Sequence, residues 1–139
     1  MNIDSQTQID QLIATFFALV DNRNGLTPDL NKLYDMFVDG AVITKVNGSD
    51  IELMTLEQFI APRQPLLTDG RLTEFYELET TAKTHINEGG AIATRLCQFE
   101  KMGKLDGKPY SGGGDKHIQL VKTANGWRIS AIVWQDFDQ

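Results

Sequence analysis

The 139 residues carry 41% hydrophobic and 23% charged side chains and a formal net charge of -6, which fits one soluble domain, residues 1–139, with a real core. That acidity, with no window clustering Lys and Arg, argues against a nucleic-acid surface, since phosphate binding needs a basic patch. A single cysteine, Cys97, cannot form an internal disulfide, residues 1–6 hold neither a basic segment nor an apolar run for export, and no stretch approaches the roughly 18 consecutive apolar residues of a membrane span; a cytoplasmic protein with neither nucleic acid nor membrane as partner is expected.

The first half reads as helical. Ile9, Leu12, Ile13, Phe16, Phe17 and Val20 recur at three and four residues and predict an amphipathic helix over about residues 5–22. Thr27 and Pro28 read as N-cap and first position of a short second helix burying Leu30, Leu33, Tyr34 and Phe37, ended by Asp39 and Gly40. Residues 41–46 form a short strand closed by Asn47-Gly48. Thr55, with Glu57 and Gln58, opens a third helix that stops before Pro62 and Pro65.

The second half reads as sheet. Strand-like runs cover residues 72–86, 91–101, 116–122 and 127–137, joined by a turn at 87–90, a longer connection over 103–114 and a tight turn at 124–126. Successive hairpins imply an antiparallel meander, and strands this long twist and curve. The expected fold is α+β: three N-terminal helices packed in the concave face of a strongly curved, mostly antiparallel sheet, a cone.

The last strand carries the chemistry. Alternation sends Arg128, Ser130, Ile132, Trp134 and Asp136 to one face and Trp127, Ile129, Ala131, Val133 and Phe137 to the other. A carboxylate sharing an apolar face with an indole lies either at a wet rim or in a pocket, where it suits acid-base work. His117 shares a face with Asp115 and Gln119 and reads either as a second proton carrier or as an exposed strand end. Lys45, on the face of Ile43 and Ala41, either orients a ligand or reaches to water. Glu74, Glu77 and Glu79 read as a solvated edge or as partners for Arg95 and Lys101. Cys97 reads as a small core residue. His85 and His117 lie on different strands with no spacing that joins them to Cys97, so no metal is expected. Residues 111–114, Ser-Gly-Gly-Gly, lack the helix and lysine of a phosphate cradle and read as a mobile connection.

The element order resembles the nuclear transport factor 2-like superfamily, especially its SnoaL-like bacterial members. The likeness spans nearly the whole chain and is carried by residues 33–42 (Leu-Tyr-Asp-Met-Phe-Val-Asp-Gly-Ala-Val), by 118–122 (Ile-Gln-Leu-Val-Lys) and by the Gly126-Trp127-Arg128-Ile129 start of the last strand. The resemblance implies a cone-shaped pocket for a small hydrophobic ligand and a homodimer through the sheet; the apolar second face of the strands, read as Ala131, Val133, Ile118 and Leu120, gives that pairing a physical reason, and since the sequence carries no cofactor signature, no cofactor is expected.

Three activities within the superfamily are compared residue by residue. Ketosteroid isomerase implies a tyrosine, an aspartate base and an aspartic acid where this chain has Phe16, Lys45 and Gln119, so none is retained. Limonene epoxide hydrolase is similar in Trp134-Gln135-Asp136-Phe137-Asp138 and in Arg95, but its second aspartate falls on Cys97. SnoaL-like cyclases imply Asp136 as acid-base, with His117 as partner. The expectation is thus a small-molecule-binding protein with Asp136, Arg95 and His117 as catalytic candidates and Phe16, Tyr34, Lys45, Gln119, Ile132 and Trp134 around the ligand. It would act as an isomerase, cyclase or hydrolase on a hydrophobic metabolite. The alternative is a noncatalytic ligand-binding or dimeric assembly domain.

Overall fold

The computed structural model describes residues 4–137; Met1 to Ile3, Asp138 and Gln139 lie outside the described residues. Helix α1 (Ser5–Ala18) starts where the Asp4 carboxylate accepts from the Thr7 amide at 2.7 Å and buries Ile9, Ile13, Phe16 and Phe17. It ends four residues earlier than the periodicity predicts. The cause is Asn22, whose amide donates to Phe75 O at 3.0 Å and whose side chain is held by three further backbone groups, so the chain leaves the helix to meet the sheet.

The second predicted helix is a 3-10 helix over Leu30–Asp35, capped by Asp29 rather than Thr27. Leu30 and Leu33 are buried as expected. Tyr34 is not: it is 52% exposed, because a three-residue repeat puts it on a different edge from Leu30 and Leu33. Helix α2 (Leu56–Leu66) opens with a full capping box between Thr55 and Gln58 but runs through both Pro62 and Pro65 rather than stopping before them. Two amide donors are lost, and tertiary contacts compensate: Gln64 Nε2 donates to Pro28 O and its Oε1 accepts from the Leu30 amide, both at 2.8 Å. Among the described residues no helix is long and apolar enough to cross a membrane.

Strands β1 (Phe37–Asn47), β2 (Asp50–Met54), β3 (Leu72–Ile86), β4 (Ile92–Leu105), β5 (Lys108–Thr123) and β6 (Gly126–Asp136) form one sheet in the order β2-β1-β6-β5-β4-β3. All neighbours are antiparallel except β1 and β6. The expected α+β cone is therefore present, with the helices against one sheet face.

Two departures shape the interior of the cone. The long connection predicted over 103–114 is instead a tight turn at Asp106-Gly107, with φ of 52° and 80°, flanked by paired strand. Asp-Gly is the pair that such a hairpin turn demands. Gly112, Gly113 and Gly114 therefore sit within β5, paired with Lys101, Glu100 and Phe99, and are no mobile loop.

The second departure is a bulge in β6. Gln119 pairs with Ala131 and Leu120 with Ile129, leaving Ser130 as an extra residue. It resets the alternation, so Trp127 and Ile129 before it and Ile132 and Trp134 after it are all buried. Ile118 and Leu120, expected on the outer face with Ala131 and Val133, are fully buried within the cone instead.

Candidate functional site

Between the helices and the concave sheet face lies a cavity of about 430 Å³. Its apolar walls come from α1 (Phe16) and the turn after it (Val20), α2 (Phe59, Leu66), β3 (Leu72, Phe75), β4 (Phe99) and β6 (Ile132, Trp134). Phe59 meets Trp134 edge to face at 6.1 Å between ring centres. The polar groups gather on the strands: Lys45, Glu52, Glu77, Lys101, Tyr110, Lys116 and Asp136, joined from α2 by Arg63.

Asp136 occupies the end of β6 and faces two ammonium groups. Its Oδ2 lies 3.4 Å from Lys101 Nζ and 3.9 Å from Lys45 Nζ. Its Oδ1 is buried and has no hydrogen-bond partner among the described residues. Oδ1 is closed off from the cavity while the side chain as a whole is 32% exposed, so the carboxylate meets the cavity by its cation-facing side, as a positioned base or acceptor would. Lys116 is 6% exposed, and its ammonium lies 4.4 Å from the ring centre of Phe99, 4.8 Å from Phe17, 5.1 Å from Phe16 and 5.9 Å from Trp134. Burial pushes its pKa down. The Arg63 guanidinium stacks over Phe59, with Cζ 4.0 Å from the ring centre, its Nη1 donates to Phe59 O, and burial lowers its pKa too.

No family model matches this sequence, and no curated protein matches it. Solved structures do. A nuclear transport factor 2-like superfamily protein from Salmonella enterica shares 12% identity with a TM-score of 0.75, over 97% of this chain and 92% of that one. A protein with a cystatin-like fold from Novosphingobium aromaticivorans shares 19% identity with a TM-score of 0.73, over 96% of this chain and 82% of that one. A candidate aromatic ring hydroxylase from the same organism shares 15% identity with a TM-score of 0.76, over 100% and 93%. The fold is that of the nuclear transport factor 2-like superfamily. At these identities the likeness speaks for the fold, and the site must speak for the chemistry.

Within this nuclear transport factor 2-like cone, five of the nine residues singled out from sequence line the cavity: Phe16, Lys45, Ile132, Trp134 and Asp136. The other four lie elsewhere. Arg95 is buried but turns to Asp10 and Glu79, each at 2.6 Å, rather than to Asp136. The hydrogen bonds from its guanidinium to Glu79 raise its pKa further. Of the two roles weighed for the glutamates, Glu79 is thus a partner of Arg95, whereas Glu77 joins the cavity wall. His117 and Gln119 do share a face, but it is the convex one: His117 pairs with exposed Val133, and Gln119 accepts from Thr94 at 2.8 Å. Tyr34 borders a separate groove with Val38 and Leu53.

Arg63, Lys101 and Lys116 were missed. Alternation carried the signal for two of them, since Lys116 is in phase with Ile118 and Leu120, and Lys101 with Phe99 and Cys97. Cys97 is buried, its Sγ donating to Lys116 O at 3.4 Å, and burial pushes the thiol up to about 12, so it is no nucleophile at neutral pH. Among the described residues no three His, Cys, Asp or Glu side chains converge as a metal site requires.

Proposed function

We propose that this protein binds a small hydrophobic molecule in the cone and acts on it by acid-base chemistry at Asp136, in an isomerase, cyclase or hydrolase reaction. The observation that carries the reading is the Asp136 carboxylate on the wall of an apolar cavity, with Oδ2 held by Lys45 and Lys101 and Oδ1 left without a partner among the described residues. A partly exposed carboxylate at the polar end of an apolar cavity is placed to take a proton from a bound substrate. The two ammonium groups beside it are placed to stabilise an oxyanion as it forms.

The test is proton exchange at a carbon acid. With 2-tetralone in deuterated buffer, the protein should speed loss of the α-proton signal in one-dimensional NMR, and Asp136→Asn should cut that excess rate by about a hundredfold or more. An excess rate equal in wild type and Asp136→Asn removes Asp136 from the chemistry. No excess rate in either, with calorimetric binding of the ketone intact, leaves a noncatalytic ligand-binding domain.

A second, compatible element of the proposal is a homodimer through the convex sheet face. Leu96 and Val133 are both 44% exposed there, on either side of the His117 row in the register of β4, β5 and β6. An apolar stripe on a sheet face is better covered than wet. Sedimentation at micromolar concentration should give twice the chain mass, and Leu96→Glu should return it to one; a wild-type monomer would remove the interface.

A further inference from the structure

We infer that Lys116 is the anchor for a carboxylate group on the cavity's ligand, so that the molecule taken up is a hydrophobic monocarboxylic acid. The inference rests on the reading of the cone as a small-molecule site, and it goes further by naming the charge of the occupant.

The cavity wall carries four cations, Lys45, Arg63, Lys101 and Lys116, against three carboxylates, Glu52, Glu77 and Asp136. Two of the cations are spent on Asp136. Arg63 lies against Phe59 on its own helix and donates to that residue's carbonyl. Lys116 remains. Among the described residues its ammonium has no hydrogen bond and no ion pair, yet the residue is the least exposed of the four and lines the cavity. Glu77 and Asp136 favour its charge from a distance beyond that of an ion pair, and Lys101 opposes it.

Burial of an ammonium without a partner is unfavourable, and a fold under no other demand places an apolar side chain there. The four surrounding rings reduce the penalty by turning their faces to the cation. They supply no lone pair, so the donors of the ammonium stay open toward the cavity. An arriving anion satisfies them. One unpartnered positive charge matches a carboxylate better than a phosphate dianion, which calls for a second cation or a cluster of amides. The aromatic walls fit an aryl or branched apolar body behind that group.

The test compares 2-naphthoic acid, ionised at pH 7, with its neutral isostere 2-naphthamide, by calorimetry against the wild-type protein and Lys116→Met. The acid should bind wild type at least tenfold more tightly than the amide, and Lys116→Met should remove that preference while keeping the amide affinity. Lys116→Met should also raise the Tm of the ligand-free protein, since it replaces an unpartnered buried cation with an apolar chain of similar shape; a lower Tm would assign Lys116 to structure and overturn the inference. Equal binding of acid and amide by wild type, or a preference that survives the substitution, overturns it too while leaving the small-molecule site intact. Failure of both probes to bind defeats the small-molecule reading itself, and the inference with it. A variant that does not fold leaves the wild-type comparison decisive, supported by a shift of the Lys116 side-chain NMR signal with the acid and not with the amide.

Discussion

Replacing Gly114 with alanine is expected to lower stability by about 3 kcal/mol, the upper part of the range for overpacking. A Cβ at that position falls on the Gln135 carbonyl oxygen, 2.9 Å from Asp136 Cα and 3.0 Å from Gln135 C, all backbone atoms of the neighbouring strand that cannot swing aside. Strands β5 and β6 must separate, and the residue paired with Gly114 is Asp136 itself. The carboxylate should then move away from Lys45 and Lys101, so loss of stability and disruption of the candidate site arrive together. A thermal melt should fall by about 12 °C, taking roughly 4 °C per kcal/mol for a chain of this size. Gly89→Ala, where the added carbon meets only Asn87 Nδ2 at 3.4 Å, should melt with wild type. A Gly114→Ala protein that melts with it would show that β5 and β6 do not approach so closely.

Asn22→Ala should cost about 3 to 4 kcal/mol. Its Nδ2 donates to Leu67 O at 2.9 Å and to Leu72 O at 2.7 Å, and its Oδ1 accepts from the Phe75 amide at 2.7 Å, so truncation strands three buried backbone groups at about 1 to 3 kcal/mol each, eased by any water that enters. Leu67, Leu72 and Phe75 all line the cavity. One side chain thus ties the end of α1 to the end of α2 and the start of β3 and fixes the cavity's lower wall. Urea titration should show a lower midpoint with an unchanged slope; a midpoint within experimental error of wild type would show that these bonds hold nothing. Asn22→Asp keeps the acceptor for Phe75 but faces two carbonyls with another acceptor, so it should not rescue the loss.

These two residues mark where sequence reading ends. The cone itself was legible, because hydrophobic period in α1, turn residues at 47–48 and 124–126, and alternation in the long strands all depend on nearest neighbours in the chain. Asn22 was hidden inside a helical pattern, since its partners lie 45 to 53 residues away and leave no local trace. The glycines of β5 were read as a loop because glycine weakens a strand on its own account; the closeness of the two flanking strands explains Gly113 and Gly114.

The candidate site divides in the same way. Ile132, Trp134 and Asp136 were placed together correctly because all three follow the bulge and share one phase. Arg95 was matched to Asp136 through a resemblance, whereas the register of β3 and β4 and the position of α1 give it Glu79 and Asp10. Lys116 lay in plain alternation with Ile118 and Leu120 but was not singled out from the sequence. Burying it runs against composition, and such departures from the local rule are where function is to be sought.

Ser130 has a consequence for how chains of this shape should be compared. What brings the indole and the carboxylate indoors is a parity set by one inserted unit, and the chemical identity of that unit is immaterial to it. Pairing all eleven residues in regular register, with no bulge to take up that unit, would exchange inside for outside over the last six residues of the strand, putting Val133 and Gln135 where Trp134 and Asp136 stand. An alignment that forbids gaps within strands would therefore match the interior of one relative to the exterior of another and report a missing aspartate where only the count differs.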